Sequence, residues 1–252
     1  RPPPRRAPRR PPPPPRPRGC PAARARAGPA GSACPPGTSG LPPGAAPPRL
    51  WYRKTQDAYA DPGSPVARLS PGSGIIQNGD WIYLTGTGAS PEGNRPFLDR
   101  LNLKTLATER LFRTDQRSYE SVVALLSDDG RSVLTRYETR VDAPNYFIRD
   151  VSAGSKRPLT TFTDPAPQIR AVEKQLITYK RKDGVQLSGT LYLPPGRKAS
   201  ERLPLIMWAY PVEFGDADSA SQVTGSPNRF TIVSGASHLY LLLQGYAVLD
   251  DA

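Results

Sequence analysis

From about residue 74 the chain reads as short apolar runs divided by turn signals, a pattern typical of β-strands. The stretch repeats itself: "NGDWIYLTG" (78 to 86) is matched by "DGRSVLTRY" (129 to 137), and Phe97 and Phe112 are matched by Phe147 and Phe162. The matched positions lie 50 or 51 residues apart. A repeat of roughly 40 to 50 residues with four short strands is typical of β-propeller blades. We therefore predict two adjacent blades, with a small antiparallel sandwich as the alternative.

A second architecture is predicted after residue 174. "QLITYKR" and "VQLSGTLYLP" flank the turn residues Lys182, Asp183 and Gly184, and apolar and polar positions alternate in the second arm, which predicts a β-hairpin with one buried face. Residues 163 to 174, with two prolines and mixed charge, are predicted to be a linker crossing between the two architectures.

The segment "LPLIMWAYPVEF" (203 to 214) begins as a run that is apolar on both faces, which is typical of a buried parallel strand. An apolar helix is predicted at about 236 to 244, ending at Gly245, and "YAVLD" is the next strand. A strand, helix and strand in this order predict a right-handed parallel crossover. An antiparallel lead-in followed by such a unit is expected at the start of an α/β-hydrolase sheet, and the chain is expected to stop within that sheet.

Composition separates the first 50 residues from the rest. They hold 10 of the 34 Lys and Arg and 18 of the 32 Pro but no Asp or Glu, which leaves 24 basic against 22 acidic residues elsewhere. We expect this tail to be disordered with polyproline II character. Specific binding, an organellar transit peptide and out-of-frame coding DNA remain open for it. The formal charge of +12 comes almost entirely from the tail, so nucleic-acid binding by the folded part is not expected.

The sequence does not indicate a metal site, a cofactor site or a membrane-spanning segment. Both cysteines, Cys20 and Cys34, lie in the tail, and no His, Cys and Asp cluster has metal-ligand spacing. We expect no metal, no cofactor and no membrane span, because the longest apolar run is shorter than a bilayer crossing requires. Arg and Lys are scattered singly in the predicted blades with acidic neighbours, as on a solvated surface.

Six stretches, "ASPEGNRPFLDRLNL", "SYESVVALLSDDG", "KDGVQLSGTLYLPPG", "LPLIMWAYPVEF", "GSPNRF" and "LLLQGYAVLD", together resemble the prolyl oligopeptidase family of serine peptidases, in its glutamyl endopeptidase-like branch. The resemblance covers roughly residues 70 to 252. It implies a propeller that caps a catalytic domain, a peptide substrate, and acyl transfer by a Ser, Asp and His triad. Tyr210 matches the tyrosine that donates its hydroxyl to the oxyanion hole. The alternative is a tyrosine that only packs at a strand end.

The expected triad is absent from the chain. No G-x-S-x-G nucleophile elbow occurs, and "GASHL" (235 to 239) lacks the last glycine. Ser237 is predicted to be a helix cap and His238, the only histidine, a structural residue. Asp250 and Asp251 are predicted to form a loop.

We therefore predict a fragment with no peptidase activity alone: a tail (1–50), a partial propeller (51–162), a linker (163–174) and the start of an α/β-hydrolase domain (175–252). A non-catalytic propeller module that binds peptide or glycan, or a gene-prediction product, is the alternative. The sequence leaves the cellular compartment undetermined.

Overall fold

The computed structural model describes residues 51, 54–69, 74–198, 200–209 and 214–251. The Pro/Arg-rich tail, for which disorder was expected, lies outside the described residues. Thirteen strands occur in the described part: β1 Ser64–Pro65, β2 Gln77–Asn78, β3 Trp81–Gly86, β4 Phe97–Asn102, β5 Thr108–Arg113, β6 Tyr119–Leu125, β7 Ser132–Glu138, β8 Asn145–Asp150, β9 Lys156–Pro158, β10 Glu173–Lys180, β11 Gln186–Leu193, β12 Leu205–Trp208 and β13 Ala247–Asp250.

Two antiparallel sheets follow each other along the chain. The first has the order β1-β3-β4-β5, with β2 also paired to β3, and the second has the order β6-β7-β8-β9. Strands β3, β4 and β5 thus correspond to β7, β8 and β9, and each strand of the second set follows its counterpart by about 50 residues. The internal repeat read from the sequence is confirmed as a repeat of strand order.

The two sheets share one apolar core. Tyr83 and Leu98 from the first sheet pack in the same buried cluster as Leu125 and Val133 from the second. The turn before β7 contributes to this packing, because Gly130 has φ +72° and a Cβ there would lie 2.4 Å from a ring carbon of Tyr83. Gly130 therefore meets both a conformational and a steric requirement.

Charged residues also lie inside the second sheet. Glu120 is 2% exposed, and its carboxylate accepts hydrogen bonds from Arg149 at 2.7 and 2.9 Å and from the hydroxyl of Thr135 at 2.7 Å. Glu138 is fully buried. The expectation that charged residues in this region lie on a solvated surface is wrong for these positions, because each buried carboxylate has arginine partners that compensate its desolvation.

The third sheet has the order β10-β11-β13-β12. Strands β10 and β11 form the predicted hairpin, and β13 pairs antiparallel with β11. Strand β12 pairs parallel with β13, as the predicted crossover requires. The expected burial of β12 is wrong: Leu205, Met207 and Trp208 are 52%, 61% and 52% exposed, because β12 is the outer strand of the described sheet.

The described residues from 163 onward include three short helices: a 3-10 turn Pro167–Ile169, an α-helix Ala217–Ala220 and a 3-10 helix His238–Gln244. The third corresponds to the helix predicted at 236 to 244. It ends at Gly245, whose φ of 85° lies in the left-handed region.

The predicted linker is only partly a linker. Ala166 and Ile169 are buried with Tyr192, Leu242 and Val248 in the core of the third sheet. Strand β10 already begins at Glu173, inside the predicted linker. Residues 163 to 172 therefore help to build the third sheet's core as well as connecting the second and third sheets.

Candidate functional site

The carboxyl ends of β12 and β13 form the edge at which the sequence places its candidate residue. The two strands pair in parallel, with Trp208 opposite Asp250, so both end at the same edge of the sheet. Tyr210, the candidate oxyanion-hole donor, follows Trp208 by two residues but lies outside the described residues. Ligands of parallel α/β sheets bind beyond this edge.

A three-residue brace fixes this edge. His238 Nε2 lies 2.9 Å from Asp250 Oδ1, and the imidazole stacks on the indole of Trp208 with ring centroids 4.6 Å apart and planes inclined by 10°. One side chain from the 3-10 helix therefore contacts the last residues of both parallel strands. The contact therefore connects the ends of β12 and β13 through the helix.

The structure places Ser237 as a cap, as the sequence predicts. Its hydroxyl accepts a hydrogen bond from the backbone N–H of Leu239 at 3.2 Å at the start of the 3-10 helix. Within the described part of the chain, no hydrogen bond joins Ser237 to His238, whose ring bonds to Asp250 instead. These neighbours are not arranged as nucleophile and base.

The expectation for the two terminal aspartates is half right. Asp251 has φ 54°, a turn conformation, whereas Asp250 is the last residue of β13 and bonds to His238. Asp250 is thus not loop-forming, because strand pairing with Trp208 extends to it. Burial, and then the negative charge of Asp250, raise the pKa of Asp251.

A partly exposed lysine, Lys174, and a buried tyrosine, Tyr192, lie opposite each other on β10 and β11 of the third sheet. Burial, and then the charge of Arg229, lower the pKa of Lys174 to about 8. The Lys174 ammonium donates to the backbone carbonyl of Arg229 at 3.2 Å and lies 5.6 Å from the ring centroid of Tyr192. Burial raises the pKa of Tyr192 to about 12. Sequence reasoning missed Lys174, which is one of many basic residues and carries no motif.

The loop before the 3-10 helix connects this face to the second sheet. Glu138, the last residue of β7, accepts a hydrogen bond from the backbone N–H of Phe230 at 3.1 Å and one from Arg136 at 2.7 Å. The guanidinium of Arg170 lies over the ring of Phe230 at 3.6 Å. The stretch "GSPNRF" (225 to 230) is therefore a contact segment between the sheets.

Metal binding depends on the side chains, and membrane crossing on the helices, of the residues that the structure describes. No group of three or more His, Cys, Asp or Glu there could hold a metal ion. None of the helices in the same ranges has the length and hydropathy needed to cross a bilayer.

Comparison with curated proteins gives two matches over most of the chain. "Probable glutamyl endopeptidase, chloroplastic" of Oryza sativa is 40% identical over 219 residues, which is 80% of this chain and 23% of the relative. The protein of the same name in Arabidopsis thaliana is 38% identical over 220 residues, with the same coverage. The chain belongs to the glutamyl endopeptidase-like branch of the prolyl oligopeptidase family. It spans about a quarter of the length of these curated relatives.

Solved structures of peptidases are also similar to this family member. Oligopeptidase B from Trypanosoma brucei matches 68% of this chain and 23% of its own length, with 15% identity and a TM-score of 0.44. Dipeptidyl peptidase 4 of Porphyromonas gingivalis matches 70% of this chain and 25% of its own, with 12% identity and a TM-score of 0.44. No protein-family model matches the chain. Membership in the prolyl oligopeptidase family therefore rests on the two sequence matches.

Proposed function

We propose that this chain is the part of a serine peptidase in which a β-propeller passes into an α/β-hydrolase catalytic domain. In this proposal the first and second sheets are propeller blades, residues 163 to 174 include the crossing, and the third sheet opens the catalytic domain. The complete enzyme would hydrolyse peptide bonds through an acyl-enzyme. The sequence relationship to the two glutamyl endopeptidases supports the peptidase activity.

The observation that carries the catalytic part of the proposal is the parallel pair β12 and β13. It follows an antiparallel hairpin in the same sheet, and Tyr210 comes two residues after the end of β12. In this position a phenol hydroxyl can donate to the carbonyl oxygen on which negative charge develops. One such donor contributes about 3 to 4 kcal/mol, or about 10²- to 10³-fold in rate.

We further propose that the 252 residues alone are inactive. The sequence holds no G-x-S-x-G, and its single histidine, His238, bonds to Asp250 and stacks on Trp208 rather than facing a serine. The contribution of this chain to catalysis is then the oxyanion donor and the brace that restrains the chain before it.

Peptide hydrolysis by the complete polypeptide of this gene and by the 252-residue chain tests the proposal. We expect the complete polypeptide to cleave an internally quenched peptide and to react with a fluorophosphonate probe, and the 252-residue chain to do neither. Tyr210→Phe in the complete polypeptide should lower kcat about 10²- to 10³-fold with little change in KM. Tyr246→Phe, at an exposed tyrosine, is the matched control.

Each part of the proposal has its own contradicting result. If the complete polypeptide does not react with the probe, the proposed serine peptidase activity is wrong. If Tyr210→Phe keeps the full kcat, Tyr210 does not donate to the oxyanion, and its role is packing at the end of the strand. Turnover by the 252-residue chain would overturn its inactivity.

A further inference from the structure

A cleft of about 400 Å³ lies between the second sheet and the start of the third. Four of its lining residues are cations from three successive parts of the chain: Arg117 and Arg140 from the second sheet's loops, Arg170 from the connection, and Lys174 from β10. No carboxylate is among its lining residues in the described part of the chain. The charged residues that line the cleft are therefore all cations.

The cations of the cleft are only partly compensated by the protein. Arg170 donates to Asp164 at 2.7 Å and to the carbonyl of Arg140 at 3.3 Å, but its Nη2 is buried without a hydrogen-bond partner. Among the described residues, no carboxylate lies within ion-pair distance of Arg117, Arg140 or Lys174. A buried guanidinium nitrogen without a partner is costly, and an external acceptor would satisfy it.

Lys174 adds a second indication. The residue is partly exposed, and its one hydrogen bond among the described residues goes to a neutral carbonyl, that of Arg229. Burial and the charge of Arg229 lower its pKa, with Glu138 acting in the opposite direction. At pH 7 it still carries its charge, so positive potential remains in the cleft.

We propose that this cleft binds an oxyanion, a phosphate or a carboxylate group, held by Lys174, Arg140 and Arg170. Arginine forks match both groups, and charge-assisted hydrogen bonds to them are about twice as strong as neutral ones. The ligand would join the second sheet to the third sheet across the cleft. The site is independent of the proposed peptidase activity.

Titration of the 252-residue chain at pH 7 with inorganic phosphate and with succinate tests the site. Both titrations are followed by calorimetry, and by ³¹P line broadening for phosphate, with NaCl holding the ionic strength constant. We expect saturable binding of at least one probe. Lys174→Met and Arg140→Gln should each weaken it about tenfold or more through loss of a charge-assisted contact. Lys182→Met, which removes one charge from the exposed hairpin turn, should leave the affinity unchanged.

The outcomes distinguish between phosphate and carboxylate as the group that the cleft binds. Binding of phosphate only assigns the site to phosphate groups, binding of succinate only assigns it to carboxylates, and binding of both assigns it to oxyanions in general. No saturable binding of either probe overturns the proposal, as does equal weakening by Lys182→Met. If circular dichroism shows that Lys174→Met does not fold, Arg140→Gln decides, because Arg140 is exposed.

Discussion

Glu138 joins the second sheet to the loop that precedes the 3-10 helix, and Glu138→Gln tests how strongly it does so. The side chain is fully buried, one oxygen accepts from Arg136 at 2.7 Å, and the other accepts from the backbone N–H of Phe230 at 3.1 Å. Arg229 lies 3.8 Å from the carboxylate. Glutamine preserves the size but removes the charge and brings an NH₂ group toward hydrogen-bond donors.

The expected cost follows from the exposure of the partners. Removing one member of a fully buried ion pair costs about 3 to 5 kcal/mol, and a hydrogen bond to a charged group is worth about 1.5 to 3 kcal/mol. The side chains of Arg136 and Arg229 are 24% and 49% exposed, so water can solvate both after the substitution. We therefore expect Glu138→Gln to lower the free energy of unfolding by about 2 to 3 kcal/mol.

Urea denaturation of Glu138→Gln and of Glu109→Gln measures the difference. Glu109 pairs with Arg100 at 2.6 Å at the surface, where such a pair contributes about 1 kcal/mol or less. Hydrogen exchange shows where stability is lost. The amide of Phe230 should exchange faster in Glu138→Gln than in the parent chain, and at the parent rate in Glu109→Gln. Equal destabilisation by the two substitutions, or an unchanged Phe230 amide, would refute the role of Glu138 as a connector.

Two further predictions concern the core and the third sheet. Gly130→Ala should cost about 1 to 3 kcal/mol in urea denaturation, because its methyl group would overlap the ring of Tyr83; Gly154→Ala, with a similar φ but open space, should cost less. The pH dependence of stability should change sign near pH 10. Between pH 8 and 10.5 the unfolded state keeps the Lys174 proton that the folded state loses, so stability rises with pH. Above pH 10 the unfolded state loses the Tyr192 proton that the folded state keeps, so stability falls. Thermal unfolding across this range should show the rise flattened in Lys174→Met and the fall flattened in Tyr192→Phe.

The sequence predicted features that depend on local pattern. The repeat with its spacing of about 50 residues, the hairpin around Gly184 and the parallel pairing of β12 with β13 all follow from periodicity and turn residues. The helix predicted at 236 to 244 became a 3-10 helix of seven residues. Ser237 and Gly245 cap it at its two ends, as the sequence predicts, but a periodic apolar pattern does not distinguish the 3-10 from the α-helical turn over so few residues.

The burial of charged residues could not be predicted in the same way. Glu120 and Glu138 are charged residues within strands, and a pattern of apolar and polar positions assigns such residues to the solvent-facing side of a strand. Their burial depends on Arg149, 29 residues after Glu120, and on Phe230, 92 residues after Glu138. A pattern read along one strand contains no information about partners at these separations.

The same limit explains why the sequence reached Tyr210 but missed the brace and the basic cleft. Tyr210 is a candidate on the strand pattern alone, because it follows the end of β12 by two residues in the sequence. The brace needs the helix residue His238 to meet Trp208 and Asp250, and the cleft needs cations from three segments to face one another. The cleft arises where the loop "GSPNRF" and the connection around Arg170 bring the second and third sheets together, whereas the brace arises within the third sheet, where the 3-10 helix meets the ends of β12 and β13.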